Sequence, residues 1–160
     1  MTEATCIDII ELTEKVIDYV ELTEEVRSHQ SGAVILFLGT VREMTDGRKT
    51  LCLDYEAYPE MALAKLRELS VETRTRWPVD RLGIVHRLGH LELGEISVAV
   101  AVGCPHRRDA FEAGQYLIDR LKEVVPIWKK ENWSDGSTEW VHPGSGSPIP
   151  LLKTEGEPPS

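Results

Sequence analysis

Two lysines, Lys122 and Lys129, lie seven positions apart in the stretch LKEVVPIWKKE, with Pro126 between them. Pro126 is expected to end the helix that carries Lys122, which places Lys129 on the strand that follows. At 100° per residue, Lys122 falls at the edge of an apolar stripe, one turn beyond Ile118, so its amine can reach over apolar surface. Such an amine can act as a base, an acid or an oxyanion partner. The pattern indicates proton-transfer chemistry, although the spacing alone is a weak signal.

Basic residues gather at three other places beside apolar segments. They are Arg42 after the run FLGTV, the pair His86-Arg87 within IVHRLG, and the series His106-Arg107-Arg108 after Pro105. Cations at a helix N-terminus oppose the helix macrodipole unless an anion lies between them. His106 and Arg107, together with free backbone N–H groups, are therefore typical of a phosphate site. Arg42 also fits a structural role at a strand end, and His86-Arg87 a structural role within a strand.

The segment CPHRRD supports a second hypothesis, in which a thiol does the chemistry. Cys104 lies at a predicted strand end, two residues before His106 and close to the N–H groups that begin a helix. That setting can lower the pKa of a thiol and create a nucleophile, as in a cysteine-dependent hydrolase. Free cysteines are more often small buried apolar residues, and this alternative stays open at the level of sequence.

The elements that must position these residues can be predicted from periodicity and turn signals. Strands are predicted at residues 5–12, 32–43 and 50–58, in RLGIVHRLGHLEL, in EISVAVAVGC, and in IWKKENW and STEWV around Ser134-Asp135-Gly136. The nearly continuous apolar run at 32–43 predicts a central strand buried on both faces. A short helix is predicted in DYVELTEEVRS, and long helices in residues 59–77 and 106–125. The apolar stripe of the last helix consists of Phe111, Gly114, Leu117, Ile118, Leu121 and Val125.

This order of elements, with tight turns between neighbouring strands, predicts an α+β fold with mainly antiparallel sheet. The turn signature MTDGRK predicts a hairpin between the strands on either side of it, and Gly94-Glu95 a turn between the next two strands. Residues 1–142 are predicted to form a single domain. Residues 143–160 are rich in Pro, Gly and Ser, which is typical of a flexible tail.

Composition excludes several classes of protein. The chain has 160 residues, 27 Asp and Glu against 18 Lys and Arg, and a net charge of −9. An acidic balance argues against a nucleic-acid partner, which relies on a basic surface. No apolar run approaches the roughly 20 residues that span a bilayer, so no membrane association is expected. The three widely spaced cysteines and the acidic N-terminus favour a reducing, cytoplasmic location.

Six segments keep one order from about residue 32 to residue 141: GAVILFLGTVRE, YEAYPEMA, RWP, IVHRLGHLELGE, PHRRDAFEAGQYLIDRLKEVVPIWKKE, and the tryptophan of STEWV. In these segments the chain resembles the large, catalytic subunit of molybdopterin synthase, and the PHR to WKKE segment is the most specific. The resemblance implies an α/β-hammerhead fold with mainly antiparallel sheet and two long helices. It implies a sulfurtransferase of molybdenum cofactor biosynthesis that needs no metal or redox cofactor.

The resemblance also implies partners. A small ubiquitin-like sulfur-carrier subunit would insert its C-terminal Gly-Gly thiocarboxylate and deliver sulfur to cyclic pyranopterin monophosphate, which makes the dithiolene of molybdopterin. The chain would form a homodimer in which each copy binds one carrier, giving a heterotetramer. A pterin- or carrier-binding homologue without catalytic activity is the alternative, and the presence of both lysines argues against it.

Site residues follow from the same resemblance. Lys122 and Lys129 correspond to the catalytic lysines. The substrate-binding set comprises Thr40, Val41, Arg42, His106, Arg107, Lys130 and Glu131. Lys122 follows Arg107 by 15 positions in one predicted helix, so the two residues are about 22 Å apart along its axis. A pterin monophosphate cannot bridge that distance, and we therefore expect His106 and Arg107 to reach the lysine pocket of the dimer mate.

Overall fold

The computed structural model describes residues 7–142, which contain three helices and nine strands. In chain order they are β1 (Ile7–Thr13), α1 (Tyr19–Val26), β2 (Ala33–Thr40), β3 (Met44–Thr45), β4 (Arg48–Ala57), α2 (Pro59–Arg76), β5 (Arg81–Arg87), β6 (Gly89–Glu92), β7 (Ile96–Cys104), α3 (Arg107–Val124), β8 (Ile127–Trp133) and β9 (Thr138–Val141). The predicted tail at 143–160 lies outside the described residues. Within 7–142 no helix combines the length and apolar composition that a membrane span requires.

The strands form two sheets. The first has the order β1-β5-β7-β2, and the second has the order β3-β4-β8-β9 with β6 also paired to β4. Strands β1 and β5 run parallel, whereas the other pairs among the described residues are antiparallel. The predicted α+β fold with mainly antiparallel sheet and two long helices is therefore confirmed.

The predicted hairpin around MTDGRK is wrong in its partners. Strand β2 pairs with β7 in the first sheet, and only the two-residue strand β3 folds back on β4. The turn between β3 and β4 uses Asp46 and Gly47 at positive φ, 48° and 77°. β2 also lies at the edge of its sheet instead of its centre, and most of its residues are half-buried. The apolar composition of a strand does not predict which distant strand it will pair with.

The segment RLGIVHRLGHLEL forms two strands instead of one. It divides at Leu88, and β6 begins at Gly89, whose φ of 87° suits glycine, so that β5 joins the first sheet and β6 pairs with β4 in the second. The turn at Gly94 therefore connects strands of different sheets. This division places the end of β5 beside β4, where both strands contribute to the cavity described below.

Helices cover both faces of the first sheet. The alternating side chains of β7 show this: Val100 and Val102 belong to the main core with α2 and α3, while Ala99 and Ala101 pack with α1. The buried face of α3 consists of Ala110, Ala113, Gly114, Leu117, Ile118 and Leu121. Phe111, which was predicted to belong to that face, is 60% exposed because Ala110 faces the core at the first turn.

Candidate active site

A cavity of about 400 Å³ lies where the C-terminal end of α3 meets the second sheet. Its apolar wall includes Ile118 and Leu121 of α3 and Val125 and Ile127 beyond it. Its charged and polar groups include Thr40, Arg42, Lys122, Lys129 and Glu131. The cavity therefore gathers two amines and one guanidinium against an apolar surface.

The chain reverses between Lys122 and Lys129, and this brings the two lysines to one cavity. Helix α3 ends at Val124, and the Val125 N–H donates to Leu121 O at 3.1 Å as the last helical hydrogen bond. Pro126 cannot continue the helix, and β8 begins at the next residue. Lys122 thus comes from the last turn of a helix and Lys129 from the adjoining strand, as the sequence predicted.

The alternation of side chains along β8 decides which residues face the cavity. Lys129 and Glu131 point to the inner face, opposite Tyr55 and Leu53 of β4. Lys130 lies opposite Asp54 on the other face of the strand and does not line the cavity. Lys129 and Glu131 therefore belong to the cavity, and Lys130 is separated from it by the sheet.

Glu131 is a buried carboxylate that holds Lys129. Its side chain is 3% exposed, its Oε1 lies 3.2 Å from Lys129 Nζ, and its Oε2 accepts a hydrogen bond of 3.0 Å from Thr50 Oγ1. A buried carboxylate needs such partners because burial removes its hydration. An ammonium has three N–H donors, so this ion pair leaves donors on Lys129 for a ligand in the cavity.

A second wall of the cavity consists of His86, Tyr55 and Ser97, which are not among the predicted site residues. His86 is 4% exposed, and its Nδ1 lies 2.8 Å from Arg87 O, an acceptor, so Nδ1 carries the proton. Burial lowers the pKa of His86 to about 4, and the ring is therefore neutral at pH 7. Burial raises the pKa of Tyr55, although a hydrogen bond with Ser97 opposes that shift.

The contact between His86 and Tyr55 explains how two sheets share this wall. The rings meet edge to face, with centroids 5.0 Å apart. Tyr55 can be recognised as a site residue because it points inward on β4, directly opposite Lys129. That register becomes visible only when the strands are paired.

Besides Lys130, three further residues of the predicted site lie outside the cavity. Val41 is 3% exposed and packs in the main core. His106 and Arg107 are exposed at the start of α3, where His106 is the N-cap residue without a side-chain capping bond. Helix α3 is unbroken from Arg107 to Val124, so Arg107 and Lys122 of one chain lie about 22 Å apart along it.

Cys104 is poorly suited to be a nucleophile. The residue is completely buried, and burial, followed by the charge of Asp109, raises the pKa of its thiol to about 11. A thiolate is the reactive form, and it is strongly disfavoured here. Among residues 7–142, no group of three or more His, Cys, Asp or Glu side chains is arranged to hold a metal ion.

Comparison with known proteins identifies the family of this chain. The family model described as MoaE protein matches residues 12–124. The molybdopterin synthase catalytic subunit of Halalkalibacterium halodurans is 51% identical over 118 residues, 74% of this chain and 75% of that protein. The crystal structure of molybdopterin synthase from Staphylococcus aureus superposes with a TM-score of 0.77 at 44% identity, covering 82% of this chain and 95% of that one.

A more distant structure has the same fold. It is the protein–protein complex of subunits 1 and 2 of molybdopterin-converting factor from Helicobacter pylori, with a TM-score of 0.66 at 22% identity over 79% of this chain and 86% of that one. The chain belongs to the MoaE protein family. It is accordingly an enzyme of molybdopterin synthesis.

Proposed function

We propose that this chain is a cytoplasmic sulfurtransferase, the catalytic subunit of a molybdopterin synthase. It moves sulfur from the C-terminal thiocarboxylate of a small carrier protein to cyclic pyranopterin monophosphate and so makes a dithiolene. The observation that carries this proposal is the convergence of Lys122, Lys129 and Arg42 on one cavity of about 400 Å³. A cavity of this size is in the range that takes a small organic substrate.

The charges of the cavity match the charges of the reactants. A thiocarboxylate and a phosphate are both anions, and the cavity offers two ammonium groups and a guanidinium. When sulfur replaces oxygen on the pterin side chain, the departing oxygen needs a proton and the developing oxyanion needs a donor. Lys122 and Lys129 supply these functions, while Thr40 and Arg42 bind substrate.

The apolar wall of Ile118, Leu121, Val125 and Ile127 fits the other requirement of the reaction. An extended Gly-Gly tail has no side chains, so it can enter a narrow cleft beside apolar groups. Exclusion of water there strengthens the interactions of the lysines with the reacting atoms.

His106 and Arg107 bind the substrate of the same reaction, but in the active site of the other chain of a dimer. They lie too far from Lys122 within one chain to hold the same substrate, because α3 is continuous between them. In a two-fold dimer each composite site would combine the lysine cavity of one chain with the start of α3 from its mate. Two such sites, each with a carrier, give the heterotetramer.

The test is a reconstituted reaction. Purified protein is mixed with thiocarboxylated carrier and cyclic pyranopterin monophosphate, and the dithiolene product is measured. Lys122→Ala and Lys129→Ala should each keep the fold, although Lys129→Ala should be less stable because the buried Glu131 loses its cation. Both should lower turnover by orders of magnitude, because both lysines act in the transition state. Lys122→Arg should also fail, since a guanidinium does not release its proton near neutral pH.

Two controls accompany these variants. Lys65→Ala removes a half-buried lysine of α2 that pairs with Glu68 at 3.1 Å, and it should turn over normally. A carrier without its last two glycines should transfer no sulfur. Normal turnover in both cavity variants would refute the assignment of the lysines, and normal transfer from the truncated carrier would refute insertion of the tail.

A further inference from the structure

Strand β4 contains a β-bulge that buries a threonine in place of a leucine. Leu53 and Tyr55 point inward and are 5% and 8% exposed, so strict alternation would also bury Leu51. Instead Leu51 is 50% exposed and Thr50 is 1% exposed. The register against β8 shifts at this point: Cys52 lies opposite Asn132, and Thr50 opposite Trp133. Leu51 is therefore the extra residue of the bulge.

The backbone on both sides of the bulge is fixed by hydrogen bonds. Thr50 N–H donates to Glu43 O at 2.7 Å, and Ser134 N–H donates to Lys49 O at 2.8 Å. The bulge is thus an ordered feature that turns one hydroxyl toward the interior. Exposing a leucine is unfavourable. Burying a hydroxyl is also unfavourable unless the hydroxyl has a hydrogen-bond partner.

The partner of Thr50 is the carboxylate that holds Lys129. Thr50 Oγ1 donates to Glu131 Oε2 at 3.0 Å, while Glu131 Oε1 lies 3.2 Å from Lys129 Nζ. Each carboxylate oxygen therefore has its own partner, and the hydroxyl fixes the rotation of the carboxylate about its terminal bond. Thr50 does not line the cavity, so its contact with the reaction is through Glu131.

We propose that Thr50 is a positioning residue for sulfur transfer: through Glu131 it sets the place of the Lys129 ammonium in the cavity, an inference that rests on the proposed function. A displacement of about 1 Å at a reacting centre can lower a rate by about 100-fold. A displaced Lys129 would still attract anionic substrates. The loss is therefore expected in kcat, with KM little changed.

The test compares Thr50→Val, which keeps the shape and removes the hydroxyl, with Thr50→Ser, which keeps the hydroxyl. Thr50→Val should lower kcat on the order of ten-fold with KM unchanged, and Thr50→Ser should restore kcat. Thr73→Val is the matched control, because Thr73 is also completely buried but bonds Leu69 O on α2, away from the cavity. It should lose stability without losing kcat.

A double variant separates this role from a general effect on folding. If Thr50 acts through Lys129, adding Thr50→Val to Lys129→Ala should leave the residual turnover unchanged. An equal further loss in the double variant would overturn the proposal, as would a Thr50→Ser protein that is as slow as Thr50→Val. Wild-type kcat in Thr50→Val beside an inactive Lys129→Ala would refute the role of Thr50 alone. Normal turnover in Lys129→Ala would refute the catalytic role of Lys129 and this proposal together.

Discussion

Subunit complementation tests the composite site most directly. The perturbation is a pair of variants, Arg107→Ala and Lys122→Ala, each expected to be inactive by itself. The two residues are 15 positions apart in the continuous helix α3, which separates them by about 22 Å along its axis. One small substrate cannot contact both residues of the same chain. If both residues serve one reaction, each active site takes them from different chains.

The size of the recovery follows from counting sites. Free exchange of equal amounts of the two variants makes half of all dimers mixed. In a mixed dimer, one site combines the intact Arg107 of one chain with the intact Lys122 of the other, and the second site lacks both. Half of the sites in half of the dimers are intact, so activity should return to about a quarter of the wild-type value.

The assay measures dithiolene formation before and after subunit exchange, with a different affinity tag on each variant to prove that mixed dimers have formed. Lys122→Ala mixed with Lys129→Ala is the matched control: both residues line one cavity of one chain, so no intact site can arise. No recovery from Arg107→Ala and Lys122→Ala despite proven exchange would refute the composite site. Recovery in the control pair would show that the two lysines do not act in one cavity.

Two further predictions concern buried groups. His86 has a folded-state pKa of about 4 against an unperturbed value of 6.5, so unfolding takes up a proton between these pH values. Above pH 6.5 the neutral ring should contribute about 3 kcal/mol to the free energy of unfolding, and this contribution should be lost as the pH falls to 4. In urea unfolding experiments, the free energy of unfolding of His86→Phe should therefore depend less on pH than that of the wild type. Cys104→Ala should turn over at a rate close to wild type, and iodoacetamide should leave Cys104 unmodified in the folded protein at pH 7, because the thiol is buried with a pKa of about 11. Labelling of Cys104 that abolishes activity would restore the cysteine hypothesis.

Local sequence determined the elements that carry the candidate site. Pro59 begins α2 and Trp77 caps its end, while Pro126 separates α3 from β8. The turn Ser134-Asp135-Gly136 joins β8 to β9, with Gly136 at a φ of 87°. These signals act within a few residues, because backbone restriction and capping depend on immediate neighbours. They were sufficient to place Lys122 and Lys129 on adjoining elements.

Tertiary structure alone decided which strands meet. The alternation of side chains along a strand predicts which residues share a face, but it predicts neither the partner strand nor the register of the pairing. The separation of β2 from β4, the division of β5 from β6 and the edge position of β2 all depend on contacts between distant segments. For the same reason, the place of His86 and Tyr55 in the cavity wall could not be predicted.

The bulge at Leu51 shows this limit most clearly. Alternation along β4 predicts a buried leucine, whereas pairing with β8 buries Thr50 and brings it to Glu131, 81 positions later in the chain. Sequence therefore determined the two amines and the elements that carry them. The buried carboxylate and hydroxyl that hold Lys129 became partners only through pairing between distant strands, because a hydrogen bond of 3.0 Å depends on the register of both strands.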